Sequence, residues 1–342
     1  MILAGDVGGT KADFALFERR PGGAPVELRH ERIATEGWPA LEPLVERFVG
    51  PDAGRLAAAA IGVAGPVRDG RVTGTNLPWT VEAKSLADRL GLPGLTLLND
   101  LEATAHGLAS LAPDETRVLH AGKADPAGTV CVLAAGTGLG QSFLVHVPPD
   151  PDRPDDPPGV RVVASEGGHA DYAPRTPLEW ELSQWLAARY DGHTSWERVL
   201  SGPGLGNLYE FLRDTGRAEE PEWLAAARRD GDPNAAIAQA DGRCELATQT
   251  VDLFVDAYAS QAGNLALTYL ATGGVYLAGG IAPRLAARLS DGRFARAYVS
   301  KGRLSALVAS IPVRLVLNDQ TALLGAAAVA FRAASARGIR HA

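Results

Sequence analysis

The chain has 342 residues, of which 46% are hydrophobic and 21% are charged, and its formal net charge is −7. This length suits two domains, and the composition is that of a globular protein. The acidic balance disfavours non-specific binding to nucleic acid and to anionic membranes, so neither is expected as a partner. A small anionic substrate remains compatible with it, because a binding site can be locally positive.

The chain contains two cysteines, Cys131 in an apolar run and Cys244 in a predicted helix. Two thiols without a Cys-x-x-Cys pair indicate reduced, structural cysteines, a cytoplasmic protein and no cysteine zinc site. The N-terminal letters "MILAGDVGG" lack a signal-peptide pattern. No run approaches the roughly 18 apolar residues that a membrane helix needs.

The first motif in chain order is "GDVGGTKADFALF", residues 5–17. It lacks the Ser or Thr that follows the lysine of a Walker loop, and it lacks the spacing of a dinucleotide fingerprint. The short apolar run after the glycines predicts a second strand, so the motif is strand, glycine turn, strand. Such a hairpin is either an ordinary turn or a set of N–H groups presented to an anion.

Strand-like and helix-like runs alternate over the next hundred residues. "WPALEPLVERFVG" predicts a helix with Leu41, Leu44, Val45 and Phe48 on one face. "LAAAAIGVAG" ends in a strand, "VEAKSLADRLGL" predicts a helix, "LTLL" is a strand that ends at Asn99-Asp100, and "LEATAHGLASL" starts another helix. This alternation predicts an α/β fold with a mixed sheet.

A second glycine-rich hairpin follows in "TVCVLAAGTGLGQSFLVHV", and "GGVYLAGGIAPRL" places two glycines between a strand and a helix. Three glycine turns, each at the end of an apolar strand, favour two sheets facing one nucleotide. Two segments are predicted to be loops, the proline- and aspartate-rich residues 148–159 and the polar stretch "RDTGRAEEPEW", whose charges are expected to be solvated.

Together these motifs resemble those of the bacterial glucokinase family, within the actin-like ATPase and sugar-kinase superfamily. The matching pieces occur in family order: "GDVGGTKADFALF", "LLNDLEATAHGL", "AAGTGLGQSFLVH", "SEGGHADYAP", "WERVLSGPGLGNLY", "GNLAL" and "LAGGIAPR". The resemblance implies a two-domain, ribonuclease-H-like α/β fold in which ATP and a hexose meet in the interdomain cleft. The expected domains are residues 1–105 plus about 322–342, and residues 106–321.

The resemblance implies the residues that would bind and activate the sugar. Asp100 would be the general base for the primary hydroxyl, at a strand end where ligands of open α/β sheets bind. Without the resemblance, an N-cap for a helix beginning at Leu101 is the simpler interpretation. The expected sugar ligands are Asn99, Asp100, Glu166, His169 and Glu197, with Asn76 and Gly65 as weaker candidates for the cleft wall.

ATP and Mg²⁺ are the implied cofactors. Asp6 would lie close to Mg²⁺ through water, since magnesium keeps several waters and takes few protein ligands. Lys11 would either neutralise phosphate charge or face solvent. The residues expected to contact the nucleotide are Gly8, Gly9 and Thr10 in one phosphate turn, Gly136, Thr137 and Gly138 in the other, and Gly279 and Gly280 beside the adenosine.

The chain departs from the family pattern in places. Lys11-Ala12-Asp13 replaces the common Asn-Ala-Arg, and the region directly after His169, "ADYAPRTPLEW", contains no cysteine, so no structural zinc site is expected. The loop at 148–159 is longer than usual. Family members are commonly dimers, and a homodimer is expected.

Three other functions are alternatives to a glucokinase. A kinase of another hexose or hexosamine, such as glucosamine, N-acetylmannosamine or fructose, would use the same residues. A sugar-responsive regulator would carry an N-terminal DNA-binding domain, and here the first strand is predicted to begin at Ile2. A filament or chaperone ATPase would leave Glu166, His169 and Glu197 unexplained.

Overall fold

The computed structural model describes residues 1–19, 25–73, 77, 79–147 and 159–336. Asn76 and residues 148–158 of the predicted loop lie outside these ranges, so the expectations for them stay predictions. Within the described ranges, no helix combines the length and the apolar character needed to cross a membrane.

The strands follow the predicted pattern closely. In chain order they are β1 (Ile2–Val7), β2 (Lys11–Arg19), β3 (Pro25–Ala34), β4 (Ala58–Val63), β5 (Val67–Arg68), β6 (Arg71–Thr73), β7 (Thr80–Glu82), β8 (Leu95–Asn99), β9 (Thr116–His120), β10 (Val130–Ala135), β11 (Leu139–Val147), β12 (Gly159–Ser165), β13 (Gly274–Ala278) and β14 (Val313–Val316).

The α-helices occupy the segments between these strands and the chain's C-terminal part. They are α1 (Leu41–Val49), α2 (Ala83–Arg89), α3 (Asp100–Gly107), α4 (Pro177–Arg189), α5 (Gly202–Asp214), α6 (Glu222–Asp230), α7 (Pro233–Gln239), α8 (Glu245–Thr268), α9 (Ala286–Leu289), α10 (Arg293–Val299), α11 (Ser305–Ser310) and α12 (Thr321–Ala336).

Two mixed sheets repeat one arrangement, as the paired hairpin motifs predict. The first has the order β3-β2-β1-β4-β8, in which β1 pairs antiparallel with β2 and parallel with β4. The second has the order β12-β11-β10-β13-β14-β9, in which β10 pairs antiparallel with β11 and parallel with β13. Each sheet therefore begins with a glycine-turn hairpin beside parallel strands, and both hairpin predictions are confirmed. A short antiparallel sheet, β5-β6-β7, completes the set.

The chain forms two compact units. One contains Met1–Pro113 and the chain from Asn318 onward, and the other is Asp114–Leu317. In the first unit, α1 buries Leu41, Leu44 and Phe48 against one face of the sheet, as its spacing predicts. In the second unit, the long helix α8 is buried along most of its length, and the Tyr258 hydroxyl lies within hydrogen-bond distance of two acceptors, the Leu133 carbonyl (3.2 Å) and the Ala278 carbonyl (3.3 Å).

Helix α12 covers the other face of the first sheet, where Ala326, Ala330 and Phe331 pack against β1, β2 and β4. It also crosses α3 at very short range. A Cβ on Gly325 would overlap the Ala103 carbonyl oxygen, and a Cβ on Gly107 would overlap the Thr321 carbonyl oxygen. Only glycines allow the two helix backbones to approach this closely.

Gly167–His169 form a single 3₁₀ turn after β12. Two local predictions need correction. Cys244 is the N-cap of α8 and does not lie within the helix, because the helix begins at Glu245. The polar break between α5 and α6 is not wholly solvated. Glu220 accepts a hydrogen bond from the Tyr209 hydroxyl (2.9 Å) and pairs with Arg228 (3.1 Å).

Candidate active site

Two carboxylates face each other where the first hairpin turns. Asp6 near the end of β1 is the direct cross-strand partner of Asp13 on β2, so both side chains share the sheet face that α3 and α12 cover. On the other side Asp6 pairs with Gly62 of β4. A Cβ on Gly62 would lie 3.0 Å from the Ala103 Cβ of α3, so this glycine lets α3 pack close to Asp6.

Burial and neighbouring charge raise the pKa of Asp6 to about 7 from its ordinary 3.8. The largest cause is loss of water around the carboxylate, followed by repulsion from Asp100 and Asp13, while Lys11 and Arg32 act in the opposite direction. The protein does not fully compensate the negative charge of an ionised Asp6 in this environment. Its oxygens therefore suit a hard cation such as Mg²⁺, which prefers carboxylate and water ligands.

We expect Asp6→Asn to be more stable than the parent chain in magnesium-free buffer, increasingly so as the pH rises. Below about pH 4 the carboxyl is protonated in the folded and unfolded chain alike; between about pH 4 and 7 only the unfolded chain releases the proton, so the folded state loses stability. The advantage of the variant should grow by about 3 kcal/mol between pH 5 and 8. Urea unfolding at the two pH values measures it.

Asp88→Asn is the matched control for this comparison, because Asp88 is an exposed carboxylate of the same unit that pairs with Lys84. Its stability difference at the same two pH values is the baseline with which that of Asp6→Asn is compared. A stability difference for Asp6→Asn that is flat with pH contradicts the assigned pKa.

Asp13 belongs to a charged cluster that the sequence analysis did not identify. Its Oδ1 accepts from His30 Nε2 (3.0 Å) and from Arg32 Nε (2.8 Å), both on β3. Arg32 also donates to Asp319 in the segment before α12 (3.1 Å). Because Asp13 and Arg32 are cross-strand partners, a guanidinium stands beside the position where the family motif carries arginine. The Asp13 carboxylate, which departs from that motif, is therefore paired within the protein.

Hydrogen bonds within the first glycine turn, and from Thr35 directly after β3, hold the turn in place. The Gly8 N–H donates to the Lys11 carbonyl (2.9 Å), the Thr35 hydroxyl donates to the Gly9 carbonyl (2.7 Å), and the Thr35 N–H donates to the Thr10 carbonyl (3.2 Å). Gly9, Thr10 and Lys11 are exposed. Thr35 binds the carbonyl oxygens of the turn, so the turn is fixed and still available to a ligand. The sequence analysis missed this role of Thr35.

The end of β8 brings three predicted residues together. Asn99 is the N-cap of α3: its Oδ1 accepts from the Leu101 N–H (2.9 Å), and its Nδ2 donates to the Gly65 carbonyl (3.0 Å). Asp100 is the first helical residue, so the capping role that was weighed for Asp100 falls mainly to Asn99. Asp100 Oδ1 is also 3.0 Å from the Leu101 N–H. A carboxylate at a helix N-terminus is stabilised there by the peptide dipoles.

The second glycine turn, residues 136–138, adjoins Glu197. The Gly136 N–H donates to the Gly138 carbonyl (2.9 Å), and the Gly136 carbonyl accepts from Gly202 at the start of α5 (2.8 Å). Glu197 Oε2 accepts from the Leu139 N–H (2.9 Å). The glutamate is therefore anchored to the first residue of β11. Its neighbour Arg198 is partly buried, and its guanidinium stacks over the Tyr190 ring.

Glu166 and His169 lie together on an exposed turn after β12. Their side chains are 75% and 61% exposed, and Glu166 Oε2 lies 3.9 Å from His169 Nε2. The turn rests on the same strand as the second glycine turn, since a Cβ on Gly168 would overlap the Leu139 carbonyl oxygen. Exposed groups with few protein partners are available to a ligand.

The glycines after β13 differ from each other. Gly279 has φ +82°, and a Cβ there would overlap the Ala135 backbone at the end of β10. Gly280 is exposed, and a Cβ there would meet nothing within 4 Å. Gly279 is therefore required by the fold itself, whereas Gly280 offers open backbone.

Each unit thus holds one set of predicted residues. The unit of Met1–Pro113 contains Asp6, Gly8, Gly9, Thr10, Lys11, Gly65, Asn99 and Asp100, and the unit of Asp114–Leu317 contains Gly136, Thr137, Gly138, Glu166, His169, Glu197, Gly279 and Gly280.

The repeated sheets, each opened by a glycine-turn hairpin, are the fold of the actin-like ATPase sugar kinases. A solved glucokinase from an Antarctic psychrotroph aligns with a TM-score of 0.80 at 30% identity, covering 97% of this chain and 98% of that one. A ROK family glucokinase from Streptomyces griseus, solved with glucose and AMPPNP, has a TM-score of 0.61 at 20% identity over 97% of this chain and 99% of that one. The latter likeness shows the fold alone.

The chain belongs to the glucokinase family. The family model named Glucokinase matches residues 3–333. The glucokinase of Synechocystis sp. is 40% identical over an alignment of 353 residues that covers 96% of this chain and 97% of that protein. The resemblance inferred from the motifs is therefore confirmed.

Proposed function

We propose that this chain phosphorylates glucose with ATP and that Asp100 is the general base. Family membership over nearly the whole chain supports the reaction. The observation that carries the assignment of the base is the position of Asp100, which is the first residue of α3 and close enough to Asp6 to repel its charge. A carboxylate there takes the proton of the sugar's primary hydroxyl while that oxygen attacks the γ-phosphorus.

The sugar ligands proposed are Asn99, Glu166, His169 and Glu197, with Gly65 and Asn76 at the wall of the site. Each amide atom of Asn99 uses one hydrogen bond within the protein and retains capacity for a hydroxyl. Glu166 and His169 are exposed, and Glu197 Oε1 remains beside the anchored Oε2. Carboxylates accept two hydroxyls each, so an analogue that lacks one leaves them unpaired.

The nucleotide contacts proposed are the two glycine turns, Gly279 and Gly280, with Lys11 near the phosphates. Backbone N–H groups in such turns form a concavity for phosphate oxygens. Asp6 would hold Mg²⁺ through water, and the ion would neutralise charge on the phosphates. A homodimer and a cytoplasmic location complete the proposal, the location supported by two free thiols.

The test is ADP formation with MgATP across glucose, fructose, mannose, galactose, glucosamine and N-acetylated hexosamines. Turnover with glucose at the highest kcat/KM supports the proposal. A higher kcat/KM with another sugar keeps the reaction class and refutes the substrate. Absence of sugar-stimulated turnover refutes the kinase itself.

Gly138→Ala should raise the KM for glucose about tenfold. The new Cβ would lie 2.6 Å from Glu197 Oε2, so the carboxylate must move and lose its bond from the Leu139 N–H. Hydrogen bonds to charged groups contribute about 1.5–3 kcal/mol. Initial rates with varied glucose at saturating MgATP measure the effect.

Gly136→Ala is the comparison in the same turn, because a Cβ there would meet nothing within 4 Å. Its KM for glucose should stay within about twofold of the parent value, a margin of about 0.4 kcal/mol. Equal glucose KM values for the two variants contradict the coupling between Gly138 and Glu197.

A further inference from the structure

One polar side chain in the core of the second unit has no role so far. Gln141 lies on β11 at a position that faces the core, in register with Leu133 on one side and Ser165 on the other. Its neighbours on the same face, Leu139 and Phe143, are buried apolar residues. Gln141 is itself only 2% exposed. The alternation of the strand predicts an apolar residue here, so the amide breaks the pattern.

The amide nitrogen of Gln141 is buried and has no hydrogen-bond partner among the described residues. A buried donor left unpaired costs about 1–3 kcal/mol. A side chain of similar size without polar atoms would avoid this cost. The position therefore carries a destabilising group, which is typical of a residue kept for function.

The turn directly over Gln141 is the one that carries Glu166 and His169. A Cβ on Gly167 would overlap Gln141 Oε1 and would come within 3.0 Å of the Ser165 hydroxyl, which accepts from the Gly167 N–H. Gly168 rests on the Leu139 carbonyl in the same way. Both glycines bring the turn's backbone down onto β11, with the Gln141 amide beneath it.

Two backbone hydrogen bonds form within this turn. The His169 N–H donates to the Glu166 carbonyl (3.0 Å), and the Ala170 N–H donates to the Gly167 carbonyl (3.2 Å). A carboxylate that binds sugar hydroxyls loses part of its hydration. Nearby hydrogen-bond donors then stabilise its negative charge. Oε1 is the atom of the Gln141 amide that lies against Gly167, the residue after Glu166, and the unpaired Nε2 is bonded to the same carbon, so a rotation of the amide would bring the donor to the turn.

We propose that Gln141 is a positioning residue for glucose binding, whose Nε2 donates to an oxygen of the 166–169 turn when the sugar is bound. This inference rests on the proposed function, since it assumes that Glu166 and His169 bind the sugar. It explains both the polar residue in an apolar strand face and the donor left without a partner.

Gln141→Met tests the inference, because methionine keeps the length and removes the donor. The KM for glucose should rise about tenfold, with kcat and the KM for ATP within about twofold. The apparent Tm without ligand should be unchanged or higher, because an unpaired buried donor has been removed. The rise in Tm on adding glucose should be smaller than in the parent chain at the same concentration.

Gln261→Met is the matched control. Gln261 is 5% exposed in α8, and its Oε1 accepts from the Asn264 amide (3.1 Å). This variant should lower the Tm and leave the glucose KM and the glucose-dependent Tm shift unchanged. The same result for Gln141→Met would show a purely structural role and overturn the inference.

A glucose-bound structure of the parent chain provides a test that does not depend on a variant. Gln141 Nε2 should lie about 3 Å from an oxygen of residues 166–169. A nitrogen that stays without a partner in that complex overturns the inference. Failure of the proposed function would show differently, as a parent chain that neither binds nor phosphorylates glucose.

Discussion

Asp100→Asn is expected to lower kcat about 10³-fold, with the KM for glucose changed by less than about threefold. General-base catalysis by a positioned side chain contributes about 10²–10⁴-fold, and asparagine cannot accept the proton. The amide nearly reproduces the shape of the carboxylate, and Asn99 continues to cap α3 through its bond from the Leu101 N–H. Binding should therefore survive while the chemical step is lost. Initial rates at saturating glucose and MgATP measure the effect.

Glu102→Gln is the matched control on the same helix. Glu102 is a half-buried carboxyl whose pKa is raised by burial, so it shares the charge and environment of Asp100 without a proposed contact to sugar. The kcat of this variant should stay within about threefold of the parent value, because the substituted side chain contacts no reacting group. Retention of a tenth or more of kcat by Asp100→Asn would exclude Asp100 as the base.

Gly325→Ala is expected to lower the free energy of unfolding of the first unit by about 3 kcal/mol. The added methyl group would overlap the Ala103 carbonyl oxygen of α3, and backbone cannot move aside as the end of a flexible side chain can. Overpacking of this kind costs about 1–3 kcal/mol and occasionally more. Because α3 begins with Asp100, we also expect kcat to fall as the helix shifts. Urea unfolding and initial rates on one preparation test both effects.

Gly54→Ala is the matched control in the same unit, where a Cβ would meet nothing within 4 Å. It should change the free energy of unfolding by no more than about 0.5 kcal/mol. Equal stability of the two variants would contradict the close crossing of α3 and α12.

Local patterns allowed most of the fold to be predicted. The two hairpins followed from glycines between short apolar runs, and α1 followed from its apolar spacing. What the sequence could not show depends on residues distant in the chain. Arg32 meets Asp319 across 287 positions, and no local pattern connects them. The burial that raises the pKa of Asp6 likewise needs α3 and the neighbouring strands in place.

The same distinction between local patterns and contacts made only in the folded chain applies to the candidate site. Asp100 was predicted as the base from its place at a strand end together with the family motifs. Its position relative to the helix needed the geometry of α3, in which Asn99 is the N-cap and Asp100 the first helical residue. Gln141 could have been noticed as one polar residue in an alternating apolar strand. The absence of a partner for its amide is visible only in three dimensions.

The packing of α12 on the first sheet has a consequence for the order in which the protein is made. The second unit, Asp114–Leu317, is one continuous segment of the chain, so it can fold as soon as it has left the ribosome. The sheet face formed by Ile2, Ala15 and Phe17 is synthesised much earlier, yet its covering helix, Thr321–Ala336, is translated after about 300 intervening residues. The apolar face of the first sheet therefore lacks its covering helix until translation is nearly complete, and the first unit can be completed only after the second has been synthesised.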